Sequence, residues 1–179
     1  MIMQSNPSNH QINPQVNYAK EIYLAGGCFW GVEAYFSHLQ GVKYTSVGYA
    51  NTKIPNPSYE LVCTGATNAT ECVRVVYDET CIVLEQILEE FFGIIDPTLY
   101  HRQGNDIGSQ YRSGVYFTDL NDEAIITSYL AQIAPNYRAP ILTEIAQLTN
   151  YYLAESYHQQ YLQKNPNGYC HIDLSRLKS

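Results

Sequence analysis

The chain has 179 residues, a length that suits one compact domain. A hydrophobic fraction of 45% provides enough apolar material to bury a core without metal or disulfide support. The net charge is −7, and the 10 Lys and Arg residues are scattered among 17 Asp and Glu residues. This balance argues against a nucleic-acid partner, because phosphate binding needs clustered cations.

The N-terminal twenty residues are rich in Asn, Gln, Ser and Pro. They have neither the basic start nor the apolar stretch of a secretory signal, and no segment is apolar for the length of a membrane span. An odd count of 5 Cys residues without a signal indicates a reducing compartment. We therefore predict a cytoplasmic protein without a membrane partner, with a flexible tail over residues 1–20 and a single domain over 21–179.

The first predicted elements are a strand and a helix joined by a glycine turn. Residues 22–25 are apolar and end at Gly26 and Gly27, which favour a tight turn. Apolar side chains then recur at helical spacing over residues 29–39, and Gly41 ends that helix.

The rest of the chain alternates in the same way. We predict strands at 42–49, 71–78, 115–117 and 141–148, and helices at 82–92, 121–133 and 151–162. Thr118 or Asp119 can cap the helix at 121–133. The polar segments 50–67 and 96–112 have no regular pattern, and such long loops commonly carry function. This order predicts an α+β fold, a two-layer α/β sandwich with a ferredoxin-like core, a mixed sheet and added helices and loops.

Cys28 lies where the glycine turn meets the first helix. Unpaired N–H groups of a first helical turn favour a thiolate, so we expect a pKa below the usual ~8.5. Phe29 and Trp30 follow directly and can form an apolar wall for a small group such as a methyl. The alternative is that Cys28 is a small buried hydrophobe and both aromatics are core. The residues alone predict a reactive thiol beside an aromatic wall.

Several long motifs, in order and at similar spacing, resemble the A-type methionine sulfoxide reductases. The resemblance runs from about Ile22 to Cys170. Its motifs are Gly26-Gly-Cys-Phe-Trp-Gly-Val-Glu33, Gly48-Tyr-Ala, Asn56-Pro-Ser-Tyr-Glu-Leu-Val-Cys-Thr-Gly65, Val73-Arg-Val-Val-Tyr-Asp78, Asp96-Pro-Thr, Arg102-Gln-Gly-Asn-Asp-Ile-Gly-Ser-Gln-Tyr-Arg-Ser113 and His158-Gln-Gln-Tyr-Leu.

The resemblance implies an enzyme that reduces the S epimer of methionine sulfoxide, free or in oxidised proteins, and so repairs oxidative damage. It implies that Cys28 attacks the sulfoxide sulfur and that Phe29 and Trp30 receive the substrate methyl. Cys170 then matches a resolving cysteine, which condenses with the sulfenic acid on Cys28 to a disulfide that thioredoxin reduces. No bound cofactor is implied. We expect a monomer.

The resemblance also assigns four polar residues. Glu71, Tyr59 and Tyr111 match the groups that hold and protonate the sulfoxide oxygen, and Asp106 matches an acidic residue near the substrate backbone. A sulfoxide oxygen leaves poorly unless it is protonated, so an acid is needed. Desolvation in an aromatic neighbourhood is expected to raise the pKa of Glu71 and keep a proton available. Taken singly, Glu71 also fits a solvated residue at a strand edge. Tyr59 and Tyr111 also fit packing positions, and Asp106 also fits a turn.

Some features depart from the family pattern or stand outside it. Asn68-Ala69-Thr70 replaces the usual Gly-His-Ala before Glu71. No Cys follows Cys170, so we expect one resolving step. The other cysteines lack the ligand spacing of a zinc site, so we predict no metal, and Cys72 should face away from Glu71. A silent peptide-binding module and a thiol peroxidase remain as alternative functions.

Overall fold

The computed structural model describes residues 19–178. Its strands are β1 (Ala19–Ala25), β2 (Val42–Ala50), β3 (Thr70–Asp78), β4 (Arg102–Gln103), β5 (Asp106–Ile107), β6 (Gly114–Phe117), β7 (Glu144–Gln147) and β8 (Tyr151–Leu153). Its helices are α1 (Phe29–Ser37), α2 (Tyr59–Cys63), α3 (Leu84–Ile94), α4 (Asn121–Ile133) and α5 (Tyr161–Lys164). Short 3-10 turns lie at Ser109–Tyr111, Ala134–Asn136, Ser156–His158 and Leu174–Lys178.

Six strands form one mixed sheet in the order β7-β6-β1-β3-β2-β8. The pair β6 and β7 is parallel, whereas the neighbouring pairs from β6 to β8 are antiparallel. The four central strands, with α1 and α3 as their connections, have the order of a ferredoxin-like core. This arrangement confirms the predicted α+β sandwich, while β4 and β5 form a separate small hairpin.

The alternation of side chains along each strand divides the sheet into two faces. Val73, Val75 and Tyr77 of β3 lie in the large core cluster. Cys72 belongs to the smaller cluster on the other face, with Tyr23 and Tyr116. The prediction that Cys72 faces away from Glu71 is confirmed.

The helices cover the face that carries the large cluster. α1 contributes Phe36, α3 contributes Leu88 and Phe91, and α4 contributes Ile126. Burying a side chain of this size stabilises the fold by about 1.5–3 kcal/mol. At the start of α4, Asp119 Oδ1 accepts the backbone N–H of Asn121 at 2.9 Å, which satisfies one unpaired donor of the helix end.

The predicted helix at 151–162 is wrong. Residues 151–153 form β8, which pairs with the end of β2, residues 156–158 form a 3-10 turn, and the α-helix covers only residues 161–164. Asn150 fixes this pairing, since its amide accepts from Thr52 N at 2.9 Å and donates to Thr52 O at 3.0 Å. Gln159 continues along the same edge and bonds both backbone groups of Val47. Filling an open sheet edge outweighs the local helical pattern.

Three smaller expectations also need correction. The segment 50–67 is not all loop, because it contains α2, whose start is capped by Ser58 Oγ. The sequence after Lys164 predicts a loop, but it contains a 3-10 turn at Leu174–Lys178. Ala19 and Lys20, assigned to the flexible tail, belong to β1, and the rest of that tail lies outside the described residues. No helix within residues 19–178 is long and apolar enough to cross a membrane.

Candidate active site

Cys28 occupies the N-cap position of α1 and is 7% exposed. Gly27 precedes it with φ of +84°, a left-handed conformation that favours glycine. A Cβ on Gly27 would also lie 2.7 Å from both Gln103 Cβ and His171 Nε2. The turn therefore lets two distant segments pack directly against the cysteine loop.

Glu71 lies on β3, beside the first turn of α1, and is 2% exposed. Its Oε1 accepts the backbone N–H of Phe29 at 3.2 Å, while Oε2 is buried and has no hydrogen-bond partner among the described residues. Burial raises the pKa of Glu71 to about 8, and the Phe29 N–H offsets only part of this. The predicted rise of this pKa is confirmed, so the carboxyl holds a proton near neutrality.

The segment before Glu71 is supported by an arginine. Arg112 donates to the carbonyl oxygens of Asn68 at 2.8 Å and of Ala69 at 3.4 Å, and it also pairs with Glu144. Asn68 has a positive φ of +54°, which Asn tolerates. These backbone contacts hold the entry to β3 without the histidine that the family pattern has there.

The expected low pKa of Cys28 is wrong. Burial is the largest influence and raises the pKa of the thiol, and the Glu71 carboxylate raises it further. A hydrogen bond from the Trp30 backbone N–H lowers the pKa of Cys28, so the helix end acts in the expected direction. The effect of desolvation on this pKa is larger and of opposite sign. Two neighbouring acids in one buried site titrate together. When Glu71 keeps its proton, its charge no longer raises the pKa of Cys28, but burial still does.

An aromatic group surrounds the start of α1. The Trp30 ring stacks on Tyr161 with 3.7 Å between centroids, and its Nε1–H donates to His158 Nδ1 at 3.0 Å. The Phe29 ring lies 5.1 Å from the His158 ring and 5.9 Å from the Tyr49 ring. These contacts fix the orientation of both rings, which directly follow Cys28 in the chain.

Tyr59 and Tyr111 lie in two separate short helical elements, and the Glu71 charge acts on both hydroxyls. Tyr59 begins α2, where its backbone N–H donates to Glu155 Oε2 at 3.1 Å, and its ring lies 4.6 Å from the His158 ring. Burial raises the pKa of Tyr59, followed by its hydrogen bond to Cys63 and the Glu71 charge. Burial and then the Glu71 charge likewise raise the pKa of Tyr111. Both hydroxyls thus stay protonated, as hydrogen-bond donors must.

Asp106 and Cys170 approach the same cysteine loop. Asp106 Oδ2 is buried with no hydrogen-bond partner among residues 19–178, and Tyr169 hydrogen-bonds to this carboxylate. Cys170 is half-buried, and its Sγ donates to Ile172 O at 3.4 Å. A Cβ on Gly31 would lie 3.1 Å from Cys170 Sγ. Cys170 therefore rests on α1 one turn after Cys28, on the same helical face.

The structure brings all eight residues that the resemblance assigned to one region around the start of α1. It adds four side chains to which we assigned no role: His158, Tyr161, Tyr169 and His171. The first two lie within the motif His158-Gln-Gln-Tyr-Leu and the others flank Cys170, so their positions were visible but their contacts were not.

The remaining cysteines lie apart from this chemistry. All five cysteines of the chain are free thiols, with Cys63 and Cys81 exposed and Cys72 buried on the far face of the sheet. No cluster of three or more His, Cys, Asp or Glu side chains in the described part of the chain could hold a metal ion.

A ferredoxin-like sandwich with a buried thiol, a proton-bearing carboxyl and a second thiol nearby defines a thiol-dependent oxidoreductase. The sequence model of the family Peptide methionine sulfoxide reductase matches residues 20–179. Peptide methionine sulfoxide reductase MsrA of Mycoplasma genitalium is 60% identical over 153 residues, which cover 86% of this chain and 98% of that protein. The corresponding protein of Clostridium botulinum is 54% identical over 155 residues, covering 87% and 99%.

Solved structures agree with the sequence relatives. Methionine sulfoxide reductase A of Corynebacterium diphtheriae superposes with a TM-score of 0.82 at 43% identity, covering 85% of this chain and 77% of that one. Mxr1 from Saccharomyces cerevisiae in reduced form gives 0.81 at 38%, covering 85% and 88%. The chain belongs to the peptide methionine sulfoxide reductase family. It is an oxidoreductase that reduces methionine sulfoxide.

Proposed function

We propose that this chain reduces the S epimer of methionine sulfoxide, free or in oxidised proteins, with Cys28 as the nucleophile and Glu71 as the acid. One observation carries the proposal. The backbone N–H that follows Cys28 is bonded to the Glu71 carboxyl, so the thiol and a buried, protonated acid face one region. A nucleophile for the sulfur and a proton for the oxygen are thereby held together.

In the first step the Cys28 sulfur attacks the sulfoxide sulfur while Glu71 gives its proton to the sulfoxide oxygen. The oxygen passes to Cys28, which is oxidised to a sulfenic acid, and the substrate is reduced to methionine. The proton of the Cys28 thiol restores the proton balance at Glu71. Tyr59 and Tyr111 donate hydrogen bonds to the oxygen as charge develops on it.

Apolar contacts select the substrate. The Phe29 and Trp30 rings, fixed by His158 and Tyr161, provide a surface for the S-methyl group. Asp106 offers a carboxylate to a backbone N–H of the substrate. Because a methyl and an oxygen demand opposite surroundings, this arrangement favours one epimer at the sulfur.

In the recovery step the Cys170 thiol attacks the sulfenic acid. A Cys28–Cys170 disulfide forms and water leaves with the Cys170 proton and the sulfenic hydroxyl. Thioredoxin then reduces the disulfide by thiol exchange. A solved structure of Mxr1 in complex with Trx2, similar to this chain with a TM-score of 0.58 at 26% identity, supports this choice of reductant. We expect the enzyme to act as a cytoplasmic monomer.

The decisive assay supplies separated S and R epimers with thioredoxin, thioredoxin reductase and NADPH. The wild-type chain should release methionine from the S epimer alone, and Cys28→Ser should release none. Cys81→Ser, which changes an exposed thiol, is the matched control and should retain full turnover. Release by Cys28→Ser would refute the mechanism. Turnover of peroxide without dependence on Trp30, or binding of the sulfoxide without turnover, would instead support a peroxidase or a silent binding module.

A further inference from the structure

We propose that His171 is a positioning residue for the recovery step, which docks the Cys170 segment onto the loop that carries Cys28. The proposal rests on the role proposed above for Cys170 as the resolving thiol. His171 directly follows Cys170 in the chain. Its imidazole contacts the loop that carries Cys28, so it connects the segments that hold the two thiols.

The imidazole is held by a hydrogen bond to the glycine turn. The His171 side chain is 5% exposed, and its Nε2 lies 2.8 Å from the carbonyl oxygen of Gly26. A carbonyl oxygen only accepts, so Nε2 carries the proton and donates it. Gly26 is two residues before Cys28, and His171 is one residue after Cys170. This single bond therefore ties both thiol-bearing segments together.

Three glycines, Gly27, Gly31 and Gly104, form a socket around this ring, which we call the His171 socket. A Cβ on Gly27 would lie 2.7 Å from Nε2, and one on Gly31 would lie 3.3 Å from Nδ1. A Cβ on Gly104 would lie 3.7 Å from His171 Cβ. A Cβ on Gly31 would also lie 3.1 Å from Cys170 Sγ. The missing side chain at Gly31 therefore leaves room for both the His171 ring and the Cys170 thiol.

Within residues 19–178, the second ring nitrogen of His171 adds no hydrogen bond to the one that Nε2 makes. Nδ1 has no hydrogen-bond partner among the described residues, and Asp106 Oδ2 lies 3.8 Å away, beyond hydrogen-bond range. Burial lowers the pKa of His171, which favours a neutral ring. The imidazole itself is thus docked by one hydrogen bond and by shape. Such an anchor holds Cys170 near Cys28 and still permits movement when thioredoxin attacks the disulfide.

Docking matters because disulfide geometry is narrow. The two Cα atoms must come within about 4.4–6.8 Å with the correct dihedral angle. A misplacement of about 1 Å can slow an oriented reaction by up to roughly a hundredfold. Loss of the His171 anchor should therefore slow disulfide formation about tenfold to a hundredfold, while reduction of the sulfoxide, which does not use Cys170, changes little.

The test follows both half-reactions in a single turnover with the S epimer and no thioredoxin. Rapid quenching measures methionine released per chain, and loss of free thiols measures disulfide formation. His171→Ala should slow only the second signal. His171→Gln should regain most of that rate, because its amide can donate to Gly26 O. Gly31→Ala, which places a methyl against Cys170 and His171 on a helix that tolerates Ala, should also slow it. His38→Gln, an exposed histidine at the end of α1, is the control.

The following results would count against the positioning role of His171. Wild-type disulfide rates in His171→Ala and Gly31→Ala would overturn the proposal. Equal slowing of both signals would assign His171 to support of the Cys28 loop, and a Gln variant no faster than Ala would remove the hydrogen bond from the account. If His171→Ala fails to fold, the Gln and Gly31 variants carry the same test. A wild-type chain that releases no methionine would refute the proposed function itself.

Discussion

Replacing Glu71 by Gln removes a proton-binding group from the buried site while keeping its shape. The amide oxygen can still accept the Phe29 N–H, which Glu71 Oε1 accepts at 3.2 Å. The amide cannot transfer a proton to the sulfoxide oxygen. Because a positioned general acid contributes about 10²–10⁴ in rate, single-turnover release of methionine at neutral pH should fall by about a hundredfold or more.

The same change has a consequence for stability, with a sign fixed by the pKa. Burial raises the pKa of Glu71 from 4.5 to about 8, so the folded chain binds this proton more tightly than the unfolded chain. Its stabilising contribution is complete below pH 4.5 and is lost as the pH rises toward 8. One pH unit in that window is worth at most about 1.4 kcal/mol, so this carboxyl accounts for roughly 3–4 kcal/mol between pH 5 and pH 8.

Urea unfolding of wild type and Glu71→Gln at intervals from pH 5 to pH 8 measures this term. The difference in unfolding free energy should shift by roughly 3–4 kcal/mol in favour of the Gln variant as the pH rises. Glu60→Gln, an exposed change on α2, should run parallel to wild type. Parallel curves for Glu71→Gln, or unchanged methionine release, would refute the account of Glu71 as a buried, proton-bearing acid.

Further variants test other parts of the site. Cys170→Ser should still release one methionine per chain but fail to cycle with thioredoxin, and unchanged cycling would show that another thiol resolves. Tyr111→Phe should slow methionine release by about tenfold or more and the double change with Tyr59→Phe further, whereas exposed Tyr44→Phe should not. Gly27→Ala, at φ of +84°, should cost more than about 2 kcal/mol in urea unfolding. Gly65→Ala has a similar φ of +80° with its nearest atom at 3.6 Å, so an equal loss there would contradict the predicted clash.

The elements predicted correctly are those whose pattern reflects the core. The predicted strands at 42–49 and 71–78 differ from β2 and β3 by one residue at one end each, because alternating side chains face two buried layers. The helix at 121–133 matches α4. The segment 151–162 failed because its structure is set by the open edge of β2, a partner about one hundred residues away that no local pattern reveals.

The sequence indicated which candidate residues lie close together, but it did not indicate the direction of the Cys28 pKa shift. The family resemblance assigned Cys28, Glu71, Tyr59, Tyr111 and Cys170, and the structure brings them together. The direction of the Cys28 pKa was wrong because the helix end was visible in the sequence, whereas burial by distant segments was not. The support of Asn68 and Ala69 by Arg112 was hidden for the same reason, since it joins residues more than forty positions apart.

The central claim is that oxygen passes from the substrate to Cys28. Cys170→Ser should be treated with one equivalent of the S epimer and a cyclic diketone probe that traps sulfenic acids, and the labelled peptide should be mapped by mass spectrometry. The account predicts one label per chain, on Cys28, together with one methionine released. A label on exposed Cys63 or Cys81, or methionine released without any label on Cys28, would contradict it.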